Sequence, residues 1–128
     1  MLSLPSLTQL DRGLAARVYL ATAPTDMRKG FDTLAALVKD FLGHDPLSGH
    51  LFLFVGRSRD RLKLLYWDGD GFAVWYKRLE EGTFRVPVVR PERPSVELKA
   101  SELAMLLEGI DLKSIKRSKR FVRVPKES

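Results

Sequence analysis

The spacing of apolar and polar positions changes several times along the chain, and each change marks an element. Residues 1 to 16 show no regular period and read as an irregular lead-in. Arg17 to Thr22, R-V-Y-L-A-T, reads as a strand. Ala23-Pro24 breaks it, because proline pushes the residue before it out of the helical region. Met27, Phe31, Leu34, Val38 and Phe41 then recur at spacings of four, three, four and three. That is one apolar stripe of a helix, expected from Asp26 to about Leu42. Thr25 is its expected N-cap, Asp26 suits the first turn, and Gly43 is the expected stop. The stretch D-P-L-S-G is a loop.

His50 to Gly56, H-L-F-L-F-V-G, is a short continuous apolar run between glycines. Such a run predicts a strand buried on both faces, central in a sheet. Arg57 to Asp60 predicts a turn. Arg61 to Trp67 and Phe72 to Leu79 predict a hairpin around D-G-D-G. Thr83 to Val86 is a candidate short strand. The stretch P-V-V-R-P-E-R-P is too proline-rich for a central strand. Ser95 to Lys99 alternates as an edge strand would. Ser101 then caps a last helix, E-L-A-M-L-L-E, that stops at Gly109. The order β-α-β-β-β-(β)-β-α predicts an α+β domain. Its mostly antiparallel sheet of about five strands carries the long helix and the C-terminal helix on one face. The expected division is a lead-in over 1–16, one domain over 17–111 and a basic, flexible tail over 112–128.

The hairpin sharpens the question of function. A three-residue loop, Gly69-Asp70-Gly71, with Gly71 in the left-handed position of a bulge would pair Asp68 with Phe72. Leu62, Leu64, Tyr66, Phe72, Val74 and Tyr76 would then share a core face. Arg61, Lys63, Leu65, Trp67, Ala73, Trp75 and Lys77 would share the other. A two-residue loop would mix the two sets, and the three-residue register is preferred because it segregates apolar from charged positions. The second face has two readings. Its tryptophans stack on bases while its cations meet phosphates, or a helix covers it and the lysines reach past to water.

Composition narrows the classes. The chain has 128 residues, 45% of them hydrophobic, enough for one domain with a core. No apolar run reaches the roughly 18 residues of a membrane span, so no membrane association is expected. The first ten residues make a poor signal peptide. There are no cysteines, which removes disulfides and thiolate chemistry and fits a reducing cytoplasm. The net charge of +6 is unevenly placed. Lys113, Lys116, Arg117, Lys119, Arg120, Arg123 and Lys126 face a single acid, Glu127, while residues 1 to 111 balance their charges. A basic tail on a neutral body reads as an arm for a polyanion, usually nucleic acid; a solvated tail that aids solubility is the alternative.

Two further motifs carry candidate binding residues. In T-D-M-R-K-G, Arg28 and Lys29 would occupy the first turn of a helix, where cations are unfavourable, and Gly30 costs helix stability. An anion held by free backbone N–H groups would resolve that conflict; a tolerated surface penalty is the other reading. In G-R-S-R-D-R, Arg57, Arg59 and Arg61 alternate, and arginine suits phosphate contacts. Evidence for catalysis is thin. His44 and His50 read as surface residues, and Asp68 and Asp70 read as turn chemistry before metal ligands. No phosphate-binding loop, nucleophile elbow or zinc-binding H-E-x-x-H motif occurs. Neither a cofactor nor a metal is expected.

Three stretches together resemble a known family. They are A-P-T-D-M-R-K-G-F-D-T-L-A-A-L-V, G-H-L-F-L-F-V-G-R-S-R-D-R-L-K-L-L-Y-W-D-G-D-G-F-A-V-W-Y-K-R-L-E-E-G-T-F and L-L-E-G-I-D. Over about residues 17 to 111 they resemble TnpB, the small accessory proteins of insertion-sequence family sixty-six, distinct from the larger RNA-guided nuclease of that name. Ala23 departs from the glycine frequent in the family before Pro-Thr-Asp. The resemblance implies a bacterial mobile-element protein encoded beside a separate transposase that carries the strand-transfer chemistry. It brings no catalytic residues to carry over. The expected function is a non-catalytic accessory protein that binds DNA, with transposon ends a candidate target, and the transposase. The candidate contacts are Arg28, Lys29, Arg57, Arg59, Arg61, Lys63, Trp67, Trp75, Lys77, Lys116, Arg117, Lys119 and Arg120. The alternatives are a protein adaptor using the hairpin face or the Leu103-Met105-Leu106-Leu107 helix, and a metal-dependent nuclease centred on Asp68 and Asp70.

Overall fold

The computed structural model describes residues 16–86 and 92–108. Its elements are β1 (Val18–Ala21), α1 (Phe31–Leu37) continuing as a π-helical segment (Val38–Leu42), β2 (Leu51–Val55), β3 (Arg61–Trp67), β4 (Phe72–Arg78), β5 (Ser95–Leu98) and α2 (Ala100–Glu108). The five strands form one sheet in the order β4-β3-β2-β1-β5. Only β1 and β2 run parallel, and every other pair is antiparallel. A parallel pair needs a crossover, which the α1–π element supplies. The fold is therefore α+β with a mostly antiparallel sheet, as the pattern predicts. The apolar run of β2 lies at the centre, buried along its whole length, and β5 is an edge strand.

The helices do not share a face. Leu103, Leu106 and Leu107 of α2 pack with Val18, Leu20, Leu51, Leu53, Leu62 and Leu64 on one side of the sheet. Leu34, Val38 and Leu42 pack with Phe52, Phe54 and Leu65 on the other. The sheet is thus the middle of three layers, and both of its faces are core. The Leu103-Leu106-Leu107 face of α2 is spent inward, which corrects its reading as a surface for a partner.

The long helix begins later than the stripe predicts. Residues 26 to 29 form a turn, closed by the Lys29 N–H on the Asp26 carbonyl (3.1 Å), Gly30 is the N-cap in extended conformation, and Thr25 does not cap the helix. Thr25 instead donates its backbone N–H to the Val55 carbonyl (2.9 Å). The buried stripe is Leu34, Val38 and Leu42, while Phe31 and Phe41 are 50% and 58% exposed. The π segment explains the far end: its wider turn returns Leu42, not Phe41, to the sheet. Gly43 ends it with a positive φ of 74°, as expected of a helix stop. In α2 the first residue is Ala100, not a residue after Ser101. Glu102 accepts from the Lys99 N–H (2.7 Å), the back-reaching half of a capping box. Thr83–Val86 forms no strand, although Phe84 is buried and bonds the Arg59 carbonyl. The expected stop at Gly109 lies outside the described residues.

The hairpin register also differs from expectation. Trp67 pairs with Phe72, and the Asp68 N–H donates to the Gly71 carbonyl (2.8 Å), leaving Gly69-Asp70 as a two-residue loop. Gly69, not Gly71, takes the positive φ (86°). That is the glycine position of a II′ hairpin turn. The β4 residues therefore exchange faces. Ala73, Trp75 and Lys77 join Leu62, Leu64 and Tyr66 on the α2 side. Phe72, Val74, Tyr76 and Arg78 join Arg61, Lys63, Leu65 and Trp67 on the α1 side. Segregation is a poor guide here because helices cover both faces.

Candidate nucleic-acid interface

The predicted basic-aromatic face does not exist as one surface. Trp67 and Trp75 lie on opposite sides of the sheet. Trp67 packs edge-on against Phe72, with ring centroids 5.1 Å apart. Trp75 packs on the α2 core, with Lys77 Nζ 6.0 Å from its ring centroid. Lys77 reaches past it and donates to the Leu107 carbonyl (3.1 Å), where a cation suits the end of a helix. Lys63 is on the α1 side and donates to the Lys29 carbonyl (2.7 Å), tying the 26–29 turn to the sheet. Lys63 and Lys77 thus have structural duties at backbone carbonyls.

Arg28 and Lys29 precede α1 instead of opening it, so the expected clash with the helix end does not arise. The turn is held locally. The Asp26 carboxylate accepts from the Arg28 backbone N–H (2.9 Å), and its Oδ2 accepts from the Arg28 guanidinium at 2.8 Å. These contacts hold the Asp26 carboxyl well below the usual carboxylate range and raise Arg28 above its ordinary value. The Arg28 side chain is nonetheless 92% exposed, so the pair adds little to stability.

The structure does bring the two arginine-bearing motifs together. The 24–28 loop and the 56–61 turn face each other across an open cleft of about 620 Å³ that Arg28, Arg57 and Arg61 line. Asp26 and Asp60 share it, and Asp60 also accepts from the Ser58 hydroxyl. Beneath the cleft, buried Gly56 meets the Met27 side chain. Arg59 turns away. It has a left-handed φ of 66° and lines a smaller recess with Leu20, Thr22 and Val86. Lys116, Arg117, Lys119 and Arg120 lie outside the described residues.

Tyr76 and Arg78 escape the sequence reading. Both stand on the α1 side of edge strand β4, beside Lys63 and Arg61. The signal available was the Asp68–Gly71 turn: its two-residue alternative places both residues there. Asp68 and Asp70 sit exposed at the hairpin tip. Among the described residues no group of three or more histidine, aspartate or glutamate side chains gathers to hold a metal ion. No helix among them is long and apolar enough to cross a membrane.

Both histidines meet at Tyr19, whose ring centroid is 4.0 Å from that of His44 and 5.7 Å from that of His50. His50 Nδ1 accepts the Arg17 backbone N–H (3.0 Å). Burial, then the charges of Arg17 and His44, push its pKa below the ordinary value. The folded state therefore binds fewer protons than the unfolded state in the window between its lowered pKa and about pH 6.5. His50 contributes stability that is full above that value and is lost as pH falls through its folded pKa. Urea unfolding between pH 7.5 and 5 is expected to show the decline, and His50→Gln to flatten it.

Fold and site define a class: a small three-layer α+β protein whose exposed arginines gather where a loop and a turn meet. The chain belongs to the IS66 Orf2-like protein family, whose model matches residues 16–117. It is similar to the uncharacterized protein y4hO of Sinorhizobium fredii, 42% identical over 102 residues, covering 80% of this chain and 87% of that one. It is also similar to y4jC of the same organism, 39% identical over 107 residues, covering 84% and 88%. No solved structure matches significantly. The family ties the chain to insertion-sequence transposition in an accessory role.

Proposed function

We propose that this protein is a non-catalytic accessory factor of transposition that holds DNA and works beside the separately encoded transposase. The observation that carries the reading is the meeting of the T-D-M-R-K-G loop and the G-R-S-R-D-R turn, which sets Arg57 and Arg61 at an open, solvent-facing cleft. Arg28 adds charge partly offset by Asp26, and the sequence adds the basic stretch 113–126. Cations so placed neutralise phosphates and release counterions. The test is a salt titration of duplex affinity with the full chain. Log K is expected to fall linearly with log salt, at about 0.9 per phosphate contact. A salt-independent affinity, or none at low salt, refutes DNA binding.

A second reading, an adaptor for the transposase, is favoured by the exposed rings of Phe31 and Phe41 on the α1–π element. Co-purification with the transposase that survives nuclease treatment supports it. Loss of the pair on nuclease treatment supports DNA as the bridge.

A further inference from the structure

The α1 side of the hairpin holds a second arrangement. Arg61 lies directly opposite Arg78 across the β3–β4 ladder, and Lys63 lies directly opposite Tyr76. All four side chains project from the same face of the sheet. Like charges in direct opposition destabilise a strand pair. The fold does little to relieve this one. Arg78 reaches Glu80 only at 3.4 Å on the exposed surface, and Arg61 makes no ion pair among the described residues.

Tyr76 stands between these charges on the edge strand, 48% exposed. Lys63 Nζ lies 4.9 Å from the ring centroid and is itself anchored on the Lys29 carbonyl. The ring is thereby held from the protein side while much of its surface faces water. A lone exposed tyrosine is ordinary. A tyrosine framed by two opposed arginines and an anchored lysine is a combination that packing does not require. An anion between the arginines would turn their repulsion into shared binding. An anion that also carries a flat ring would use Tyr76, and a nucleotide with an unstacked base has both parts. A duplex offers phosphates but keeps its bases stacked, and would leave the ring idle.

We propose that Tyr76, Arg61 and Arg78 form a site for an unpaired nucleotide of single-stranded DNA, the ring stacking on the base and the guanidiniums taking the adjacent phosphate. This rests on the DNA-binding reading above and adds a strand-state preference to it. The test compares full-length wild type, Tyr76→Ala, Tyr76→Phe and Arg78→Gln by fluorescence anisotropy on an oligo-dT strand and a blunt duplex. The basic stretch 113–126 is present in every variant. Tyr76→Ala is expected to weaken oligo-dT binding about tenfold and duplex binding little, while Tyr76→Phe keeps the wild-type preference. Arg78→Gln is expected to weaken the oligo-dT complex and flatten its salt dependence. An iodouracil-substituted strand should crosslink at Tyr76. Equal losses on both DNAs, or no loss in Tyr76→Ala, overturn the site. Wild type that binds duplex but no single strand overturns this inference alone. Wild type that binds neither overturns the DNA-binding reading with it.

Discussion

Gly56→Ala is expected to lower folding stability by about 1–3 kcal/mol, the usual cost of overfilling a packed position. A Cβ at this buried site would stand 2.9 Å from Met27 Cγ. Real Cβ atoms do not approach that closely, so Met27 or the backbone must move. Both neighbours are constrained. The Gly56 N–H donates to the Arg61 carbonyl (3.0 Å), and Thr25 is held on Val55 (2.9 Å). Met27 packs among the partly buried side chains over Leu34 and Phe54. The strain falls on the junction that forms the cleft, so the variant should also bind DNA more weakly than its residual stability explains. Urea denaturation measures the first effect. Affinity measured well below the unfolding midpoint measures the second. A variant as stable as wild type would show that Met27 moves aside freely.

The double substitution Arg57→Gln, Arg61→Gln is expected to leave stability nearly unchanged and to lower the salt slope of duplex binding by about 2. Both side chains are exposed, and neither makes an ion pair among the described residues. Surface changes usually stay within about 0.5 kcal/mol, and relief of the Arg61–Arg78 opposition acts in the stabilising direction on a similarly small scale. The loss should be uniform across DNA sequences, because phosphate contacts carry no base information. A parallel control, Arg59→Gln, removes the arginine that faces the other recess and should change the slope less. An unchanged slope in the double variant would move the DNA contact elsewhere on the chain.

The sequence reading succeeds where a residue's local surroundings decide. The apolar run of β2 announces a central strand because both faces of such a strand are core. Gly43 announces a helix end because a left-handed residue is needed there. The alternation of Ser95 to Lys99 announces an edge. It fails where the third dimension decides. The helix start is misplaced because Asp26 prefers to hold Arg28 in a local turn, leaving Gly30 as cap. The hairpin register is misplaced because segregation of apolar from charged positions holds only for a sheet with one wet face, whereas α1 and α2 cover both. A shift of one residue in that register is the difference between Tyr76 in the core with both tryptophans on one surface and the observed arrangement, with Tyr76 half-exposed and the tryptophans on opposite sides. Of the candidate site, the arginines of the 57–61 turn were legible because a turn exposes its side chains. The meeting of that turn with the 24–28 loop was not, since it depends on the parallel pairing of β1 with β2.

That pairing also fixes an order of assembly. β1 lies between β2 and β5, and Val18 finds its β5 partner, Leu98, 80 residues further along the chain. The β2–β3–β4 meander closes through short turns and can form early. The far side of β1 must wait for a much longer loop to close, which is entropically slower. As the chain leaves the ribosome, the arginine turn and the hairpin emerge before β5 and α2 can cover the leucines of β1, β2 and β3. Until then the α2 side of the sheet lacks Leu98 and the three α2 leucines, with only Phe84 and its neighbours over it, so a nascent chain halted before residue 95 would be a substrate for chaperones.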